Sequence, residues 1–111
     1  MAEDLYANME VAPREVKDML GRGEKILFVD VREPWEYQTS HIEGSVLIPL
    51  REIPTNLPRL EAAGDVVLFC HHGMRSRAAA EEAIAAGYKN VFNLEGGIEA
   101  WSAVDPTVPR Y

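Results

Sequence analysis

A single cysteine, Cys70, heads the segment His71-His72-Gly73-Met74-Arg75-Ser76, and the chain holds no second thiol for an internal disulfide. Three fates remain for it: an inert core thiol, a bridge to another chain, or a reactive nucleophile. The residues before it, at 65–70, read DVVLFC, a strand-like run. Those after it supply a glycine, an arginine and then an alanine-rich helical stretch. A strand that enters a short loop and then a helix N-terminus turns several N–H groups into one concavity, with the helix dipole behind them. Gly73 provides a position at which positive φ is cheap. A thiol in that bowl is favoured as thiolate by the amide donors and by Arg75, so a pKa well below the free value of about 8.5 is expected. The bowl also suits a small dianion, aligned for attack by the sulfur. The reading requires the sulfur to face the bowl, since a cysteine that merely ends a buried strand is inert.

Other reactive residue types read more plainly as structure. Asp30, Arg32 and Glu36 form an acid-base-acid cluster behind a buried strand. A hydrogen-bonded network holding the strand-end turn is preferred over acid-base catalysis, because partly buried charges need partners and a thiolate needs no proton shuttle. His41 is expected to brace a turn, and Trp35 and Trp101 to pack in the core or at its rim. Cys70, His71, His72 and His41 invite a metal reading, but the usual zinc spacings are missing and adjacent loop histidines are expected to point apart. No metal is expected. Gly96-Gly97 has little specificity as a phosphate motif and suffices as a turn that brings the last helix close to the loop.

The elements that must position Cys70 follow from apolar patterning. Helices are predicted over 13–20, 33–38, irregularly over 52–63 because of Pro54 and Pro58, over 75–86 and over 98–102. Strands are predicted over 25–31 (KILFVDV), 45–48, 65–70 and 89–94, and the tail 105–111 is expected to be extended. Apolar strands alternating with helices imply an α/β fold with a parallel sheet covered on both faces. Ligands bind beyond the carboxyl ends of such strands, and Cys70 stands at one.

With 111 residues the chain is expected to be one domain, 1–111, and a monomer. A net charge of −7 argues against nucleic acid or an anionic membrane as partner. No apolar run approaches the roughly 20 residues of a membrane span. The first nine residues include Glu3 and Asp4 and carry no secretory pattern, so a cytoplasmic location is expected.

The loop CHHGMRS resembles the Cys-x-x-Gly-x-Arg-Ser loop of the rhodanese family. Segment 30–49 (DVREPWEYQTSHIEGSVLIP) resembles that family's Asp-Val-Arg-x-x-x-Glu-Tyr and His-Ile-x-Gly-Ser signatures, with Ser40 where glycine is commoner. Segment 94–101 (LEGGIEAW) is similar to its Gly-Gly-x-x-x-Trp element. Together with 66–77 these cover most of the chain in the family's order. The resemblance implies a doubly wound five-stranded parallel sheet and a persulfide on Cys70, with no cofactor. The backbone of His71, His72, Gly73, Met74, Arg75 and Ser76 would bind the transferring group, and Arg75 would either face the cradle or brace the loop. Arg75→Ala is accordingly expected to weaken use of an anionic donor more than stability. The implied activity is thiosulfate sulfurtransferase, with a small sulfur donor and an external cyanide or thiol acceptor. The runner-up is a sulfur relay to or from a protein partner. Phosphatase or arsenate reductase activity is disfavoured, because those loops resemble Cys-x5-Arg whereas Arg75 gives Cys-x4-Arg.

Overall fold

The computed structural model describes residues 8–108. Strands β1 (Glu10–Val11), β2 (Leu27–Asp30), β3 (Val46–Leu47), β4 (Val66–Phe69) and β5 (Val91–Leu94) form one sheet in the order β1-β5-β4-β2-β3. Every pairing in it is parallel. The helices are α1 (Pro13–Gly21), α2 (Pro34–Thr39), α3 (Ile53–Ala62), α4 (Met74–Ala85) and α5 (Gly97–Val104), with a 3-10 turn at Leu50–Glu52.

β4 lies at the centre, and its side chains explain the two layers. Alternation sends Val66 and Leu68 to one face, packed with Ile53 and Leu60 of α3 and Ala79, Ala80 and Ala83 of α4. Val67 and Phe69 go to the other, with Val16 of α1 and Ile98 and Trp101 of α5. There the Phe28 ring meets Phe69 and Trp101 edge-on, with centroids 4.9 and 5.3 Å apart. Both faces are therefore covered, and the doubly wound α/β reading holds. Trp101 is core, whereas Trp35 is 63% exposed.

Three elements depart from the sequence prediction. β1 was not foreseen: two residues cannot display a period, and it exists by pairing Glu10 with Asn93 and Val11 with Leu94. α3 is one continuous helix with Pro58 inside it. Proline there forgoes one backbone hydrogen bond, but Ile53 and Leu60 are wholly buried on either side of it and hold the helix to the sheet. The tail turns at Thr107, whose N–H and hydroxyl donate to Asp105 Oδ1 at 3.1 and 2.6 Å. The Thr107 hydroxyl holds the Asp105 carboxyl below the usual carboxylate range. The rest of the predicted tail, 109–111, lies outside the described residues. Among the described residues no helix is long and apolar enough to cross a membrane.

Candidate active site

The carboxyl ends of three central strands meet in register. Asp30 of β2 stands opposite Phe69, and Leu68 opposite Asn93 of β5. The chain leaves β4 at Cys70, turns through Gly73 at φ 104° and enters α4. Cys70 Sγ accepts the Gly73 N–H at 3.1 Å and the Ser76 N–H at 3.4 Å. Ser76 is the third residue of α4, so the sulfur sits where an N-cap side chain would, against the positive end of a 12-residue helix. Two N–H donors and the positive end of the helix dipole converge on the sulfur. The sulfur thus faces the loop, as the sequence argument requires, but it is not at an open mouth. Cys70 is 2% exposed and its body belongs to the core. Three surface concavities elsewhere, around Tyr88, Gln38 and Lys17, do not include it.

Behind the loop stands a residue that the sequence reading missed. Asn93, 2% exposed, donates from Nδ2 to Gly73 O at 3.1 Å and to both Glu10 carboxylate oxygens at 3.0 and 3.1 Å. Its Oδ1 accepts from the Ser76 hydroxyl. That hydroxyl lies 3.4 Å from the sulfur, so β1, β5 and the loop share one network ending at Cys70. A signal existed: an asparagine inside VFNL must find partners if the strand is buried. Nothing in the sequence said that those partners would be Glu10 and the loop.

The acid-base-acid cluster divides its work. Asp30 and Arg32 are completely buried and joined by contacts of 2.7 to 3.1 Å, and Arg32 also donates to Ser40 O at 2.6 Å. This closes the turn from β2 across α2. Glu36 reaches over to α4, where its carboxylate accepts both Arg75 terminal nitrogens at 2.8 and 2.9 Å. Arg75 therefore braces the loop, one of the two roles that the resemblance allows it. The nearer partner wins because the Glu36 side chain is only 6% exposed and a buried carboxylate requires neutralisation. With that role, Arg75→Ala is expected to act on stability first. It should destabilise the fold by about 1–3 kcal/mol, since one partner of a partly buried bidentate pair is removed. Urea denaturation checks this, with apparent KM for the donor changing little.

The histidines are corrected. His71 and His72 do not point apart: their rings stack 4.0 Å apart with 18° between planes. His71 Nε2 lies 3.5 Å from Glu99 Oε1 on α5. His41 behaves as a brace, its Nδ1 3.1 Å from Tyr37 O and its ring stacked on Tyr37. The Met74 side chain points outward, 82% exposed. Gly96-Gly97 does bring the last helix against the loop: Ile98 N–H donates to Cys70 O and Glu99 N–H to His71 O, at 2.8 and 3.1 Å.

Fold and loop define a class: parallel α/β domains whose central strand delivers a cysteine to a helix N-terminus. Within that class the chain belongs to the family described as the rhodanese-like domain, whose model matches residues 12–104. It is 31% identical over 96 residues to the thiosulfate sulfurtransferase GlpE of Pseudomonas aeruginosa, covering 86% of each chain. It is 38% identical over 94 residues to the probable adenylyltransferase/sulfurtransferase MoeZ of Mycobacterium tuberculosis, covering 83% of this chain and 24% of that protein. The chain thus spans about a quarter of the length of that relative. Among solved structures, a rhodanese-like domain protein from Staphylococcus aureus superposes with a TM-score of 0.79 at 29% identity, covering 92% of this chain and 97% of that one.

Proposed function

We propose that this chain is a sulfurtransferase that carries a sulfane sulfur on Cys70. One observation carries the reading: Sγ accepts two amide N–H groups at the positive end of α4. Donors fixed before the reaction stabilise negative charge on sulfur both in the attacking thiolate and in the thiolate released at the end. In the first half-reaction Cys70 thiolate attacks the outer sulfur of thiosulfate. The Cys70 S–S bond forms, the old S–S bond breaks, and sulfite leaves with the electron pair. In the second, cyanide or a thiolate attacks the outer persulfide sulfur and Cys70 thiolate is regenerated. A covalent intermediate shared by two half-reactions gives ping-pong kinetics. The name of the Pseudomonas relative supports thiosulfate as donor.

The acceptor is necessarily external, because the chain has no second cysteine to resolve the persulfide. Relay to a protein partner is the second reading. It is favoured by the match to part of an adenylyltransferase/sulfurtransferase and by exposed Trp35 and Met74, each adjacent in sequence to one member of the Glu36–Arg75 pair. Intact-mass measurement tests the central step. Thiosulfate treatment should add the mass of one sulfur atom, and cyanide should remove it. An unchanged mass would refute persulfide chemistry at this cysteine.

A further inference from the structure

The stacked histidines stand beside a carboxylate, and that trio has a chemistry which sulfur transfer does not use. One ligand-type atom each from His71, His72 and Glu99 lie within 4.8 Å of one another. Among the described residues this is the one group of three metal-ligating side chains that comes so close. The geometry points to a divalent transition-metal site at the loop, held by His71, His72 and Glu99 and suited to Zn²⁺.

Donor type comes first. Two imidazoles and one carboxylate form a borderline set matched to zinc, and three protein ligands leave a fourth tetrahedral position open. Spacing comes next. Ligands about 2.0–2.1 Å from a tetrahedral ion stand about 3.3 Å apart. His71 Nε2 and Glu99 Oε1, at 3.5 Å, already do so nearly. Parallel rings cannot both aim their in-plane lone pairs at one point, so one must rotate about its side-chain torsions. His72 is exposed and can do this at the cost of its stacking on His71, whereas His71 is partly buried.

The scaffold is also rigid where it must be. Glu99 N–H donates to His71 O, and Ile98 N–H to Cys70 O, so the backbones bearing two of the ligands are tied together. Contact with Glu99 positions His71, and stacking on His71 brings the His72 ring to the same point. Sequence spacing could not reveal the site, because its third ligand comes from α5, 27 positions beyond His72.

Cys70 is the obvious competitor for zinc, so the test removes it. Untagged Cys70→Ser protein is titrated with Zn²⁺ alone in a calorimeter, beside His72→Ala and Glu99→Gln made in the same background. Far-ultraviolet circular dichroism confirms that each is folded. One equivalent should bind to Cys70→Ser, and each further substitution should weaken binding at least tenfold, the scale on which lost support already weakens metal sites. Binding by wild type but not by Cys70→Ser would assign the metal to the thiol and overturn the site. Equal binding in all three variants would show scattered surface ligation and overturn it equally, as would no binding at millimolar zinc. Because Cys70→Ser cannot carry a persulfide, none of these outcomes depends on the sulfurtransferase reading.

Discussion

Cys70→Ser is expected to lower sulfur transfer from thiosulfate by at least about 10⁴-fold, the scale on which enzymes with covalent intermediates lose turnover when their nucleophile is removed. Serine fits where the thiol was, and its hydroxyl oxygen can accept the Gly73 N–H that now reaches Sγ at 3.1 Å. The fold should therefore change by no more than about 1–2 kcal/mol. What vanishes is the chemistry, since oxygen at the cradle forms no persulfide and is not ionised at neutral pH. Measured turnover and urea midpoints separate the two effects. Retained transfer in a folded Cys70→Ser protein would mean that sulfur travels by another route. The chain holds no other thiol that could substitute for Cys70.

The sequence disclosed the site wherever it was local. Cys70, Gly73 and Ser76 lie within one strand-loop-helix segment, so apolar patterning, a glycine and a helix start place the sulfur beside N–H donors without knowledge of the rest. The positive φ at Gly73 is a local demand and was legible for the same reason. Of the contacts made across the fold, the approach of the last helix at Gly96-Gly97 is legible, but most partners are not. The sequence leaves Arg75 either facing the cradle or bracing the loop and cannot name its partner, because Glu36 is 39 positions away. Asn93 looked like an ordinary strand residue, although it ties Glu10, Ser76 and Gly73 together. β1 is stabilised by its neighbour and has no period of its own. The stacking of the two histidine rings is likewise not legible from their spacing, and His71 also meets Glu99 of α5.

Docking of α5 against the loop underlies the second large effect. Gly97→Ala should destabilise the protein by about 2–4 kcal/mol and slow persulfide formation on the order of 10²-fold. A Cβ at Gly97 would drive far inside van der Waals contact with the carbonyl oxygens of both Cys70 and His71. Those are backbone atoms already held by Ile98 and Glu99 N–H groups, so neither can swing aside as a side-chain end would. Overpacking of this kind costs about 1–3 kcal/mol, and the left-handed φ of 64° adds about 1 kcal/mol for any L residue. Relief requires α5 or the Cys70 loop to shift, and displacing a reacting atom by about 1 Å can cost 10²-fold in rate. Gly87→Ala isolates the backbone part, because Gly87 also has positive φ but nothing within 4 Å of the added carbon. Gly96→Ala isolates a clash on the helix side, since its Cβ meets Ala100 Cβ at 2.6 Å, and adding Ala100→Gly should restore part of the lost stability. Thermal melts and single-turnover sulfur loading of the three alanine variants should rank Gly97 worst on both scales. If Gly97→Ala resembled Gly87→Ala, contact between α5 and the loop would not be what holds the cysteine in place.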